Sequence, residues 1–211
     1  MRKPDLHFWS IGTFALGLLS SLGTVQAQVV PDNTLPVNSR VPPGCVVCTI
    51  DDGTVRGVNL YHSFREFSIP TGGEAYFNNA ALIQNILTRV TGASISNIDG
   101  LIRANGIANL YLLNPNGFVF GPNARLNIGG SFVATTANRF QFPDGSTYSA
   151  INPQAPPLLT VNVSPGVQFD ARPAGSTITN RGNLSTGQDL TLDANRLDLQ
   201  GQLQAGRDLT L

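Results

Sequence analysis

The chain has 211 residues, of which 41% are hydrophobic and 12% charged, with 13 basic and 13 acidic side chains and no net charge. A charged share about half the usual one excludes a disordered acidic tail, a basic nucleic-acid arm and a charge-laced coiled coil. No whole-molecule field selects phosphate, so no nucleic-acid partner is expected; 22 Gly, 14 Pro and 19 Asn point instead to short strands and many turns.

Residues 1–27 read as a signal peptide. Arg2 and Lys3 form a short basic start, and Ile11 to Leu22 form an apolar stretch with Phe14, Leu16, Leu18 and Leu19. Val25-Gln26-Ala27 places small residues where a signal peptidase reads, so cleavage is expected between Ala27 and Gln28. The stretch is too short to span about 30 Å of hydrocarbon comfortably, which disfavours a membrane anchor. Since Lys3 is the only lysine, the mature chain has none.

Pro42-Pro43-Gly44-Cys45-Val46-Val47-Cys48 holds both cysteines. A redox-active pair needs a helix N-terminus after its first cysteine to lower the thiol pKa. Here β-branched Val46, Val47, Thr49 and Ile50 follow, then Asp51-Asp52-Gly53, which describes a hairpin. A structural disulfide between Cys45 and Cys48 in an oxidising compartment is therefore expected. Such a small loop leaves the chain nearly linear.

Residues 80–92 are ambiguous. Leu82, Ile83, Ile86, Leu87 and Val90 have helical spacing, whereas Thr88, Val90 and Thr91 favour a strand. Beyond them the pattern is clearer. Leu110 to Leu113 predicts a strand, and Asn114-Pro115-Asn116-Gly117 predicts a type I turn with Asn114 capping it and Pro115 presetting φ. Phe118-Val119-Phe120, Arg125 to Ile128 and Ser131 to Thr135 follow as strands, separated by Gly121-Pro122-Asn123 and Gly129-Gly130. Such short strands suit the sides of a coil winding about an axis better than sandwich hairpins.

Coils should repeat. Gly182 to Leu192 aligns with Gly201 to Leu211 at an offset of 19, with 7 of 11 positions identical, including both glycines and Asp-Leu-Thr-Leu. A period near 20 with alternating leucine and polar residues marks a parallel β-helix or a leucine-rich solenoid. No leucine-rich-repeat pattern or helical segment accompanies it. The expected fold is therefore an all-β parallel β-helix of about 19–20 residues per coil, on the order of nine coils less an N-terminal cap. Because the chain stops at Leu211 inside a coil, it reads as the N-terminal part of a longer protein or a truncated product.

One ordered set of segments is specific. It runs Asn105-Gly106, Leu110-Tyr111-Leu112-Leu113, Asn114-Pro115-Asn116-Gly117-Phe118, Gly121-Pro122-Asn123-Ala124 and Ile128-Gly129-Gly130-Ser131-Phe132. Upstream stand Asn59-Leu60-Tyr61-His62-Ser63-Phe64 with Phe67, then Phe77-Asn78-Asn79, and Arg89-Val90-Thr91-Gly92. Over roughly residues 30–140 the set resembles the N-terminal secretion domain of filamentous haemagglutinins, the exoproteins of two-partner secretion (TPS), in its cyanobacterial form. Thr88, where the family often has Asn, and Phe118, where it often has Ile, depart from the pattern.

The resemblance implies a right-handed parallel β-helix with a capped N-terminus and a non-enzymatic export role. It implies recognition in the periplasm by an Omp85-type outer-membrane transporter through that partner's periplasmic domains, followed by folding at the cell surface. Asn85, Arg89, Val90 and Thr91, with Asn114, Pro115, Asn116 and Gly117, are the expected recognition residues. A purely structural role for the turn, and a solvated or locally paired Arg89, are the alternatives. The expected organisation is 1–27 signal peptide, 28–150 secretion domain with cap, and 151–211 continuing coils. The product is expected to be a secreted or surface-located monomer.

Two rival classes remain. Parallel β-helices also host polysaccharide-degrading enzymes, which need carboxylates at a set separation. His62 is the only histidine left after position 27, so no catalytic triad and no histidine-based metal site is expected, and no cofactor. Asp144, Asp170, Asp193 and Asp198 are scattered among turns, and Asp189 with Asp208 reads as exposed turn residues rather than a carboxylate pair. A surface adhesin binding a host or neighbouring-cell glycan or protein is compatible with export.

Overall fold

Short β-branched and leucine-containing runs, interrupted by Asn, Gly and Pro, leave the chain one regular option, the brief strand. The computed structural model describes residues 28–153 and 174–211, which form twenty-one strands and no helix. The apolar stretch of the expected signal peptide, Ala27 at its cleavage position and Asp170 lie outside the described residues.

The chain begins with a cap made of β1 (Gln28–Pro31), β2 (Ser39–Arg40), β3 (Val47–Asp52) and β4 (Thr54–Arg56). Then come β5 (Asn59–Ser68) and β6 (Glu74–Phe77), followed by β7 (Asn85–Val90), β8 (Ser96–Ile98) and β9 (Leu101–Ala104). The next turn is β10 (Asn109–Leu113), β11 (Phe118–Phe120) and β12 (Arg125–Asn127). After β13 (Phe132–Thr135) the chain forms an antiparallel hairpin, β14 (Arg139–Gln141) and β15 (Thr147–Ser149). The stack resumes with β16 (Thr177–Asn180), β17 (Asn183–Ser185), β18 (Leu190–Asp193), β19 (Arg196–Leu199), β20 (Gln202–Gln204) and β21 (Leu209–Thr210).

Three sheets collect these strands. The first stacks β5, β7, β10, β13, β18 and β21 in parallel; the second β8, β11, β16 and β19; the third β3, β6, β9, β12, β17 and β20. The chain visits first, second and third in turn, which is the strand order of a parallel β-helix. Leu60, Ile86, Leu110, Phe132 and Leu190 lie in register along the first sheet and are buried. Phe118 and Ile178 from the second sheet and Ala75, Ile102 and Leu184 from the third join them in one core.

The offset of 19 holds where it was read, between β17 and β20 (Asn183 opposite Gln202) and between β18 and β21 (Leu190 opposite Leu209). Elsewhere the coils are longer. Partners are 26 positions apart at Asn59 and Asn85, 24 at Asn85 and Asn109, and 22 at Leu110 and Phe132. From Phe132 to Leu190 the step is 58. The expectation of 19–20 residues per coil and about nine coils is thus corrected: six strands stack in parallel in the first sheet among the described residues. The physical reason is corner length. In the last coil the corners after β18 and β19 are two residues each, 194–195 and 200–201, and at the third a Cβ on Gly206 would lie 2.1 Å from the carbonyl oxygen of Gly187 one coil below. In the coil that starts at β10 the corresponding corners are four residues each, 114–117 and 121–124, and the hairpin adds further residues after β13.

The first sheet is buried on its outer face as well. Tyr61, Leu87, Tyr111 and Val133 meet Leu35 from the cap and Phe140, Phe142 and Tyr148 from the hairpin. Tyr148 sits edge-on to Tyr61 with ring centres 4.9 Å apart, and Phe140 to Tyr111 at 6.0 Å. This settles residues 80–92. Asn85–Val90 is a strand with all six residues buried, and apolar side chains on both faces blur the two-residue period. In the cap, Cys45 and Cys48 form a disulfide with Cα atoms 5.2 Å apart, Cys48 fully buried and Cys45 packed on the same core.

The hairpin should therefore unfold with the coil stack. Phe140→Ala should cost about 3–5 kcal/mol in urea denaturation while keeping a single transition. An unchanged midpoint would show that the hairpin adds nothing to the stability of the stack.

Candidate recognition site

Asn85 opens β7 at a corner of the stack, and the strand register places Asn59 below it and Asn109 above. The side-chain amide of Asn85 donates to Asn59 Oδ1 at 2.9 Å, and that of Asn109 donates to Asn85 Oδ1 at 2.9 Å. The ladder continues to the amide of Ser131, which donates to Asn109 Oδ1 at 2.8 Å. Asn85 is buried. Its observed chemistry is coil-to-coil pairing.

Four residues on, Arg89 faces outward from the first sheet, yet it has no exposed surface. The solvated Arg89 considered from sequence is corrected: the cap and the hairpin lie over it. Nε donates to Ser63 Oγ at 2.8 Å, one terminal nitrogen to the Ser149 carbonyl at 2.9 Å, and the other to Thr34 Oγ1 at 2.9 Å. Its guanidinium carbon stands 4.2 Å from the Tyr148 ring centre. The Thr34 and Ser63 hydroxyls in turn donate hydrogen bonds to Asp32, each at 2.7 Å, and Thr91 Oγ1 donates to Asp32 at 2.6 Å. Hydroxyls thus bridge a buried cation to a part-buried anion.

Burial pushes the Asp32 carboxyl up, but hydrogen bonds from Thr91, Ser63 and Thr34 outweigh it and hold the group below its ordinary 3.8. Burial also draws Arg89 below its ordinary value, although an arginine stays charged at any physiological pH. Sequence reading had not singled out Asp32, Thr34, Tyr148 or Ser149. Asp32-Asn33-Thr34 resembles any loop, and Tyr148 and Ser149 reach Arg89 only through the hairpin.

The Asn114–Gly117 turn stacks on the preceding coil. The Gly117 amide donates to the Asn114 carbonyl at 3.1 Å, and the Asn116 amide to Asn114 Oδ1 at 3.0 Å. The Asn114 side-chain amide donates to Ser94 O and Ser96 Oγ, and that of Asn116 to Gly92 O at 2.8 Å. Gly117 has φ of 112°, and a Cβ there would come within 2.6 Å of the Thr177 carbonyl oxygen, so glycine is required twice over. Asn114, Pro115 and Gly117 are buried, and Asn116 is half-buried.

The two predicted segments meet. Val90 and Thr91 line a cleft of about 320 Å³ together with Pro115 and Asn116, and its far wall is Ala150 and Ile151 beyond the hairpin. A second cleft of about 310 Å³ lies on the other side of Pro115 and Asn116, against Gly175 and Ser176. Of the eight predicted residues, Val90, Thr91, Pro115 and Asn116 line these clefts, Arg89, Asn114 and Gly117 support that corner from within, and Asn85 stands at the other end of β7 in the asparagine ladder.

The other candidates are dispersed. His62 points into the core, with Nδ1 2.9 Å from Ser39 Oγ, and burial lowers its pKa to about 3. Asp189 is paired with Arg207 at 2.6 Å rather than with Asp208. Thr135 donates to Asp193, Gln200 to Asp198, and Ser146 to Asp144 at the hairpin tip.

The family model described as the TPS secretion domain matches residues 27–210. An 87-residue stretch, 41% of this chain, is 36% identical to the heme/hemopexin-binding protein of Haemophilus influenzae and covers 9% of that protein's length. Among solved structures, the filamentous hemagglutinin secretion domain aligns over 87% of this chain and 99% of its own, with a TM-score of 0.45 and 14% identity. The chain belongs to the TPS secretion domain family, the secretion domain of filamentous-haemagglutinin-type exoproteins. It therefore carries the secretion domain of an exported protein.

Arg89→Ala should cost about 3–5 kcal/mol, because Asp32 and the hydroxyl bridges lose their cation. Arg89→Lys should rescue only part of this, since an ammonium cannot reproduce the planar fork. Acid should act in two windows. His62 stays neutral in the fold down to about pH 3, whereas the unfolded chain takes the proton near 6.5. Stability should fall by about 1.4 kcal/mol per pH unit as pH drops below 6.5, and His62→Phe should flatten that slope. The Asp32 contribution is complete above pH 3.8 and fades beneath it, because the fold holds the carboxylate ionised. Urea midpoints between pH 7.5 and 3 would measure both.

Proposed function

We propose that the periplasmic domains of an Omp85-type outer-membrane transporter read this domain through Val90–Thr91 and Pro115–Asn116, two segments that the fold then brings together at one corner. Arg89, Asn114 and Gly117 serve that corner from beneath, holding its shape, and Asn85 holds the opposite end of β7 through its asparagine ladder. The supporting observation is the shared cleft, which unites two sequence segments more than twenty residues apart beside the hairpin end. Residues 28–150 act as the secretion domain, and 151–211 carry the coil stack onward. After passage through the outer membrane the chain folds coil upon coil at the cell surface. Each new coil buries apolar area against the last, which opposes back-sliding without ATP.

The role is non-catalytic. Asp32, Asp144, Asp189, Asp193 and Asp198 are each engaged by a neighbouring hydroxyl, amide or guanidinium, as structural carboxylates are. The relative named for binding heme and hemopexin shares too little of its length to lend this chain a ligand.

Co-expression with the cognate transporter tests the reading. Substituting Asn116→Ala, which removes the bond to Gly92, should lower release into the medium several-fold while circular dichroism still shows β-structure. Asn114→Ala should weaken the fold and release together. Release that needs no transporter would overturn the proposal.

A further inference from the structure

The corners that carry the chain from the third sheet back to the first stack on one another, and a cleft of about 780 Å³ is set into them. Residues 78–84 lead into β7, 105–108 into β10, 128–131 into β13 and 186–189 into β18. In the first of these corners a turn, closed by the Ile83 amide on the Ala80 carbonyl at 3.0 Å, buries Ile83 and leaves Leu82 outside. In the next coil Ala108 is buried and Ile107 is left outside. Leu82 is 84% exposed and Ile107 77%, the two most exposed large apolar side chains among the described residues, and both line the cleft. The corner above them holds Gly129-Gly130, which sets no side chain over Ile107, and Gln188 from the coil beyond completes the lining.

The polar part of the lining is neutral. None of the ten residues around the cleft is charged, and five carry side-chain amides. Three of these amides are committed to neighbouring coils. Asn79 Oδ1 accepts from the Asn105 backbone amide at 2.8 Å, the Asn105 side chain donates to the Asn79 carbonyl at 2.9 Å, and Asn109 belongs to the asparagine ladder. Gln84 and Gln188 differ. Their backbone amides donate to Val58 and Gly130, and the Gln84 carbonyl accepts from Asn109, but their side-chain amides have no partner among the described residues.

These features select an occupant. A stable protein interface takes about 20–30 residues a side, well beyond the ten here, whereas the volume is that of a small-ligand site. An added peptide strand needs free backbone groups, and those of Gln84 and Gln188 are spent on the coils beside them. A charged ligand would lose its hydration and meet no countercharge, and a lipid tail would cover two amides without pairing them. A pyranose answers both halves of the cleft. Its C–H face suits Leu82 and Ile107, and its hydroxyls donate and accept, as a side-chain amide does. We propose that this cleft binds a short neutral saccharide, its C–H face against Leu82 and Ile107 and its hydroxyls hydrogen-bonded to Gln84 and Gln188. The site lies at the start of β7, the end away from Val90 and Thr91, and is complete only once the coil carrying Gln188 has stacked. It therefore belongs to the folded chain, goes beyond export and does not depend on the transporter reading.

An array of neutral, sialylated and sulphated oligosaccharides, with cellotriose, maltotriose and chitotriose among the neutral ones, tests this on the purified chain. A neutral saccharide should be retained, and calorimetry with it should show saturable binding. The double variants Leu82→Ser with Ile107→Ser, and Gln84→Ala with Gln188→Ala, should each weaken that binding about tenfold. Val37→Ser, at an exposed apolar residue of the cap, should leave it unchanged. The substituted side chains lie outside the core, so circular dichroism should report parent-like β-structure for every variant. An array that retains no neutral saccharide, or only charged ones, would overturn the proposal, as would parent-like affinity of both double variants. Self-association in sedimentation, or binding to phosphatidylcholine vesicles, that is lost in the Leu82→Ser, Ile107→Ser variant would assign the apolar pair to another occupant, and the proposal would fall.

Discussion

A buried guanidinium organises this molecule. Arg89 has no exposed surface, and burying an arginine costs several kcal/mol unless its donors are met. They are met by Thr34 from the cap, Ser63 from β5 and Ser149 from the hairpin, with Asp32 behind the hydroxyls. These segments lie far apart in the chain, so the cation is satisfied only when all have docked on the first sheet. Tyr148 reinforces this, stacking on the guanidinium and donating its hydroxyl to the His62 carbonyl at 2.9 Å. The cluster turns a one-dimensional stack into a domain with a locked first half.

Beyond that cluster the architecture is repetitive, and its contacts run from each coil to the next. Asparagine ladders pass from Asn59 through Asn85 to Asn109, and glycine corners pass from Gly187 to Gly206. Such a chain folds by addition, each coil completing the hydrogen bonds of the one before. The disulfide closes only the loop from Cys45 to Cys48 and leaves the rest of the chain linear. Those traits suit a secretion domain.

The Asn-Pro-Asn-Gly turn combines an observed structural role with the recognition role proposed for it. Asn114 spends its side chain on Ser94 and Ser96, and Gly117 is held by both its φ and the proximity of Thr177. Pro115 and Asn116 form the ridge between two clefts. Substituting Asn114 therefore disturbs the support of a surface that Asn116 and Thr91 present, and variants of these positions carry different information.

The sequence by itself determined the local structure. The strands Leu110–Leu113, Phe118–Phe120 and Phe132–Thr135, the type I turn and the 19-residue step at the C-terminal end follow from side-chain alternation, turn chemistry and glycine placement within a few residues. The ordered motifs also disclosed the family. Tertiary structure decided the rest. The outer face of the first sheet is buried because a hairpin sixty residues downstream of Arg89 folds back over it, so β7 lost its two-residue period and read partly as a helix. Arg89, outward on its strand, had every local sign of a solvated residue. Its burial, its link to Asp32 and the long early coils depend on contacts between distant segments, and no local periodicity records those.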